Sequence, residues 1–405
     1  MTINEKYALA AKGDISRKKT TTREGKVYAT VVETAVRRTR YDMAMYRQAQ
    51  KSAENIDNPN PVRLYDMYSD ILVDALLTSQ IENRKLQVTS TPYEVRNADG
   101  TPNDEHTALF HNSLWYPQFL SNLLDTIWWG HTLLEFNLKN GELEVELIPR
   151  KHVRSRAGVV LQRQDDSKGI EYRKLKEYGN WLIEAGGNGL GLLNKAVPHV
   201  LMKRFAQSCW SEYCEIFGMP TRTLKTNTSD PDMLNRAENM MRQMGAAGWA
   251  IIDETEILEF AEANNGNGEV YKTLITLCNS ELSLLNSGAI IGQDTEHGTR
   301  GKEQVSLDIL SYLVAADVSW VENYCNAKLF PALYKIGYIP AELKLAYKQE
   351  EDLDSLWNKV SVAMPYYDIN PQWIADKFNI PVSPRTTGVN ELSVKKLEAK
   401  PYFFG

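Results

Sequence analysis

The sequence predicts a mainly helical α+β protein, and three features point there. Apolar residues recur at helical spacing along most of the chain. Between residues 131 and 184 that spacing gives way to short runs separated by turn residues. A small unit at 221–262 carries its own helix cap and strands and is bracketed by two helical rods. The 405 residues are 43% hydrophobic, enough for at least one sizeable core. At about 100–200 residues per domain, two or three packed units are expected.

Residues 1–60 read as an extended basic N-terminal arm. It contains Arg17-Lys18-Lys19, has helical spacing only between Val31 and Tyr46, and ends at Asn58-Pro59-Asn60-Pro61. Leu64, Met67, Tyr68, Ile71, Leu72, Ala75 and Leu76 then share one face, predicting a helix over 62–79. Residues 86–93 predict a strand, with a turn at Asn97-Ala98-Asp99-Gly100. Phe110, Leu114, Trp115, Phe119, Leu123, Ile127 and Trp128 predict one helix over 105–129. Strands are predicted at 131–138, 141–149, 159–164, 170–175 and 180–184. Glycines 186, 187, 189 and 191 read as a flexible joint.

Pro198 suits the first position of a helix over 200–217, which Gly218-Met219-Pro220 would stop. In the inserted unit, Asp230 and Pro231 start a helix whose stripe of Met233, Leu234, Ala237, Met240, Met241 and Met244 reads as its core. Methionine also suits an adaptable docking surface. Strands are predicted at 221–225, 249–252 and 256–260. A helix over 269–291 would reach roughly 34 Å. A polar segment at 293–302 separates it from a helix over 303–334, bending near Pro331. Helices at 351–364 and 371–378 and a loose tail complete the chain.

Lys plus Arg number 46 against 52 Asp plus Glu, a net charge of −6, which disfavours a protein that coats nucleic acid by bulk charge. The charge is uneven. Residues 1–50 hold eleven basic and five acidic residues, as suits an arm lying on an acidic neighbour or on nucleic acid. Four cysteines without a CxxC pair predict neither a disulfide framework nor a cysteine zinc site. The N-terminal residues lack the apolar stretch of a signal peptide, and no run approaches the ~20 apolar residues of a membrane span. An intracellular or assembled soluble protein is expected.

Enzyme motifs fail on spacing. In Ala185-Gly186-Gly187-Asn188-Gly189-Leu190-Gly191, three residues intervene before Lys195 and no Ser or Thr follows it, unlike a phosphate loop. The six histidines are scattered, with no HExxH and no GxSxG elbow. Asp294, Glu296 and His297 are close enough in sequence to hold a metal, but nothing else supports a site. No catalytic residue, metal or cofactor is expected. The segment 293–303 mixes Thr295, His297, Thr299, Arg300 and Lys302 with Asp294, Glu296 and Glu303. Mixed charge suits a surface that DNA slides past without sticking, because each neutralised phosphate adds affinity.

Several ordered segments resemble the portal proteins of tailed phages, in the Mu-like branch. Trp128-Trp129-Gly130-His131-Thr132-Leu133-Leu134-Glu135 is similar to the family's tryptophan–glycine–glutamate segment. Trp210 through Glu215, Phe217, Gly218 and Pro220 resembles its helix end with tryptophan, glutamate, Phe-Gly and proline. Ser287-Gly288-Ala289-Ile290-Ile291-Gly292-Gln293 resembles a helix end that closes on Leu-Gly-Gln. Asp317 to Asn326, Asp352 to Asp354, Ile369 to Pro371 and Asn379 to Pro381 follow in the family's order. At Asp294-Thr295-Glu296 the sequence departs from the family's Thr-rich continuation.

The resemblance implies the portal fold of wing, stem, clip and crown, in a ring usually of twelve subunits at a capsid vertex. It maps the wing to 61–197, the first stem helix to 198–220, the clip to 221–262 and the second stem helix to 263–292. The tunnel loop falls at 293–303, a long wing/crown helix at 304–338, and a C-terminal crown region and tail at 339–405. Double-stranded DNA would pass Gln293, Asp294, Thr295, Glu296, His297, Thr299, Arg300 and Lys302. Partners would dock on Thr221, Arg222, Thr223, Leu224, Lys225, Trp249 and Ile251. Implied partners are further copies of the chain, the major capsid protein, the large terminase and a head–tail adaptor, with assembly in the host cytoplasm and no membrane. Another connector ring protein, or a nucleotide-binding enzyme using the Gly-rich joint, is the alternative.

Overall fold

Side-chain caps start several helices. The computed structural model describes residues 27, 31, 41–139, 142–166, 168–187, 189–218, 222–243, 249–253, 268–290, 300–348, 353–367 and 369–381. Asp42 accepts from the Met45 amide (2.7 Å) and opens α1 (Met43–Ala53), which continues past Tyr46; of the helix expected from Val31, residues 32–40 lie outside the described ones. The helix expected over 62–79 is two: α2 (Val62–Ile71) and α3 (Ala75–Ser90). Asp74 sits between them and caps α3 through the Leu77 amide (3.0 Å). The strand expected at 86–93 is therefore mostly helix. Burial of Ile81, Arg84, Lys85 and Val88 on one face of α3 overrides the strand preference of its last residues.

β1 is only Tyr93–Arg96, and it pairs antiparallel with β10 (Lys344–Tyr347), Tyr93 opposite Tyr347. The predicted helix over 105–129 is also divided, into α4 (Asp104–His111) and α5 (Trp115–Trp129), with Asn112 ending the first. β2 (His131–Lys139) runs between β3 (Glu142–Leu147) and β7 (Leu182–Gly186), antiparallel to both. A smaller sheet joins β4 (Val153–Arg154), β5 (Val159–Val160) and β6 (Ile170–Glu171); β5 and β6 are shorter than the sequence runs implied, and β4 lies where no strand is predicted. β6 ends in a 3-10 turn, Tyr172–Lys174.

Gly186 and Gly191 form a packed crossing with Gly130. Gly130, Gly186 and Gly191 all have positive φ, and a Cβ on Gly191 would lie 2.1 Å from the Trp128 carbonyl oxygen. The bare backbones can approach because no side chain intervenes. Tyr68 donates to the Leu190 carbonyl (2.7 Å) and the Leu192 amide to that of Ile127 (3.1 Å).

α6 spans Leu193–Gly218, with Pro198 inside rather than at its start. Proline 198 cannot donate to the Asn194 carbonyl four residues back, and the Tyr46 hydroxyl donates to that oxygen instead (2.8 Å). β8 (Arg222–Thr226), α7 (Pro231–Gln243) and β9 (Trp249–Asp253) form a parallel βαβ unit. Residues 256–260 lie outside the described ones. α8 (Glu269–Ser287) stops four residues before the predicted end, at Gly288. α9 (Arg300–Tyr324) starts three residues early, because Lys302, Glu303 and Gln304 favour helix and outweigh Gly301. The bend expected near Pro331 is a π turn, Cys325–Leu329, ahead of α10 (Phe330–Lys335). Asn326 in that turn brackets Leu345 of β10, accepting from its amide (2.7 Å) and donating to its carbonyl (2.9 Å).

The main core gathers Tyr68, Phe110, Phe119, Leu123, Trp128, Phe136, Val197, Leu282, Val321 and Leu333. Phe110 stacks on Phe330 with centroids 5.3 Å apart. A lesser cluster holds Leu133, Ile148, Val153, Val160, Tyr172 and Leu182, and Val27 of the arm lies in it. The chain divides into two units, 1–348 and 349–405. The second contains α11 (Leu353–Ala363) and α12 (Pro371–Phe378), where Phe378 contacts the rings of Trp357 and Trp373. All four cysteines are free. Among the described residues no helix is long and apolar enough to cross a membrane.

Candidate functional site

The rods bracketing the inserted unit lie side by side. α6 and α8 make the most extensive helix pairing among the described residues. They are antiparallel: Trp210 abuts Gly268, Tyr213 faces Tyr271 (6.0 Å between rings), and Lys203 faces Cys278 farther along. Ala196, Val197, Val200 and Leu201 bury the first part of α6, whereas residues 207–215 are exposed or half-buried. The βαβ unit follows at the end where α6 stops and α8 begins.

Within that unit Leu224 and Ile251 are register partners, both half-buried, and Lys225 is exposed. Arg222 is opposite Trp249 and Thr223 opposite Ala250. The methionine stripe divides. Ala237 and Met241 are buried and Leu234 is half-buried, but Met233 and Met240 are 51% and 46% exposed, so part of the stripe is surface; Met244 lies outside the described residues. Asp230 caps α7 through the Asp232 amide (3.0 Å), as the sequence predicts.

The other end of α8 is held by a buried polar clasp. Arg84 of α3 donates through Nε and Nη2 to the two carboxylate oxygens of Asp317 in α9 (2.6 and 2.9 Å). Its Nη1 donates to the Asn286 carbonyl in the last turn of α8 (2.9 Å). That carbonyl has no intrahelical partner, and a cation at the C-terminal end also meets the negative end of the helix dipole. Asn286 Oδ1 accepts from the Trp128 indole (2.9 Å), and its amide donates to Leu282. Gln80, one turn before Arg84, accepts from Ser287 and donates to Ser283 Oγ (2.9 Å). Gly288 then turns the chain at φ 70, where a Cβ would meet Ile309 at 2.9 Å.

A second cluster centres on Glu184. Its carboxylate accepts from Tyr172 (2.6 Å), Tyr178 (2.9 Å) and Arg173 (2.6 and 3.0 Å), and its Oε1 lies 2.9 Å from His131 Nε2. Burial alone would raise its pKa, but His131, Arg173 and Tyr172 outweigh that and hold it well below the usual carboxylate range. The Tyr324 hydroxyl donates to the Glu184 carbonyl (2.9 Å), tying α9 to β7. With every oxygen engaged, the cluster binds sheets together and leaves no lone base for chemistry.

A family model described as the portal protein of Mu bacteriophage matches residues 65–380. The chain belongs to that family. The match starts inside α2 and ends beyond α12, so it takes in both rods, the βαβ unit and the clasp. Among solved structures the chain is similar to one in the neck of an empty GTA particle, at 12% identity over 78% of this chain and 94% of that one, with a TM-score of 0.49. It is also similar to a HK97 family phage portal protein from Corynebacterium diphtheriae, at 12% identity over 72% and 97%, with a TM-score of 0.38. No curated protein matches.

Of the residues that the portal resemblance assigned to the DNA channel, Gln293, Asp294, Thr295, Glu296, His297 and Thr299 lie outside the described ones. Arg300 and Lys302 belong to the first turn of α9 rather than to a loop. Of those assigned to docking, Arg222, Thr223, Leu224 and Lys225 lie on β8, Trp249 and Ile251 on β9, and Thr221 is outside. Sequence reasoning missed the clasp. Its signal was a charged residue on an apolar stripe: Leu77, Ile81, Arg84 and Val88 share one face of α3, and a buried arginine there requires a partner.

Proposed function

We propose that this portal-family chain assembles into a ring of twelve copies at one capsid vertex, and conducts double-stranded DNA during packaging and ejection. The family match over 65–380 carries this reading. The antiparallel rods support it: α6 and α8 are the stem, and 221–262 is the clip on which terminase and a head–tail adaptor dock in turn. Residues 61–197 form the wing against the major capsid protein, with the wing/crown helix at 304–338 and the crown region and tail at 339–405. Segment 293–303 is the channel segment, and Arg300 and Lys302 are among the residues that meet DNA. The family is structural, and the chain works as a conduit without a catalytic centre or cofactor.

The basic arm extends onto the next copy. Val27 and Val31 rest on the lesser core of their own chain, so those two positions stay with it. A tagged chain located by gold labelling in phage particles tests the assignment. One labelled vertex per particle is expected; label distributed over all vertices would refute it.

A further inference from the structure

We propose that Arg84 is the positioning residue that sets the last turn of α8 against α9, an inference that extends the channel reading above. Three groups on three elements converge on one guanidinium. Asp317 takes its bidentate edge, the Asn286 carbonyl takes Nη1, and the Trp128 ring lies 5.8 Å from its central carbon. Asn286 and Asp317 belong to the two helices that flank the α8–α9 connection, and both are buried. Arg84 is itself only 7% exposed, so its charge is neutralised by this set and not by water.

Two independent contacts give the clasp its direction. Gln80 holds Ser283 and Ser287, the same face of α8 one turn along α3. Ile309 and Leu313, two turns and one turn before Asp317, close over Gly288. The last turn of α8 is thus gripped on one side by α3 and on the other by α9, with Arg84 of α3 touching both α8 and α9. Nine residues of α9, about 14 Å of helix, precede Ile309, so a change of pitch at the clasp is magnified at Arg300. A planar fork with donors on three sides is required. Lysine keeps the charge but cannot reach a bidentate carboxylate and a carbonyl together.

The test compares Arg84→Lys and Arg84→Met with the unaltered full-length chain by hydrogen exchange and by particle production. Both variants are expected to raise amide exchange at 284–290 by about tenfold, as loss of one charged hydrogen bond does, while α2 and α5 keep their protection. Rings of Arg84→Lys should form at normal yield yet give several-fold fewer DNA-filled particles. Unchanged exchange at 284–290, or an equal rise across all elements, would overturn the proposal, as would normal filling by Arg84→Lys. Asp317→Asn, which keeps the shape, gives the same local signature if either Arg84 variant fails to fold. Exchange is read on the chain itself, so failure of ring formation by the unaltered chain would count against the channel reading and not against the clasp.

Discussion

Glu184 shows how one side chain joins three separate segments of the chain. Its donors come from β2, from the turn after β6 and from the segment before β7, so losing the carboxylate would loosen all three. Its folded-state pKa is depressed below the ordinary 4.5, because the hydrogen bonds favour the charged form despite burial. The stabilisation is therefore complete above that ordinary value and is lost as pH falls toward the folded-state value. Glu184→Gln should lower the melting temperature at pH 7, and the gap to the unaltered chain should narrow below about pH 4.5. A gap that stays constant down to pH 3 would contradict this account. At this scale the sequence was least informative. Arg84, Asn286 and Asp317 are distant in the chain, and an isolated charged residue in a helical stripe does not name its partner.

At the scale of elements the long periodic segments were legible and their breaks were not. α8, α12 and the βαβ unit follow from spacing and caps, because local signals determine them. β10 went unseen, since it is defined by pairing with Tyr93–Arg96 some 250 residues earlier. Pro198 misled for a similar reason: a hydroxyl from Tyr46, distant in sequence, fills the acceptor that proline leaves vacant. The Gly-rich string is best explained by close backbone approach, not by flexibility. Gly191→Ala would set a Cβ 2.1 Å from a backbone oxygen and at φ 73, where an L side chain is strained in any case. A loss of about 3 kcal/mol or more is expected in denaturant unfolding. Gly187→Ala, with open space around it, should cost under about 1 kcal/mol. Equal losses for the two would remove the packed-crossing explanation.

For the molecule as a whole, the family was legible before any coordinates, through ordered segments such as Trp128–Glu135 and Ser287–Gln293, none sufficient singly. Sequence could also separate the basic arm from the acidic remainder, and a repeating head-to-tail contact needs such unlike surfaces. It could not say which part of the arm stays at home, and Val27 in the lesser core answers that for its own position. Electron micrographs of the purified full-length chain, with its mass measured in parallel by light scattering, test the central claim most directly. The account predicts top views with an axial hole and, for twelve copies of 46.0 kDa, a mass of about 550 kDa. A chain that remains at 46.0 kDa, with no annular particle at any concentration or salt, would contradict it.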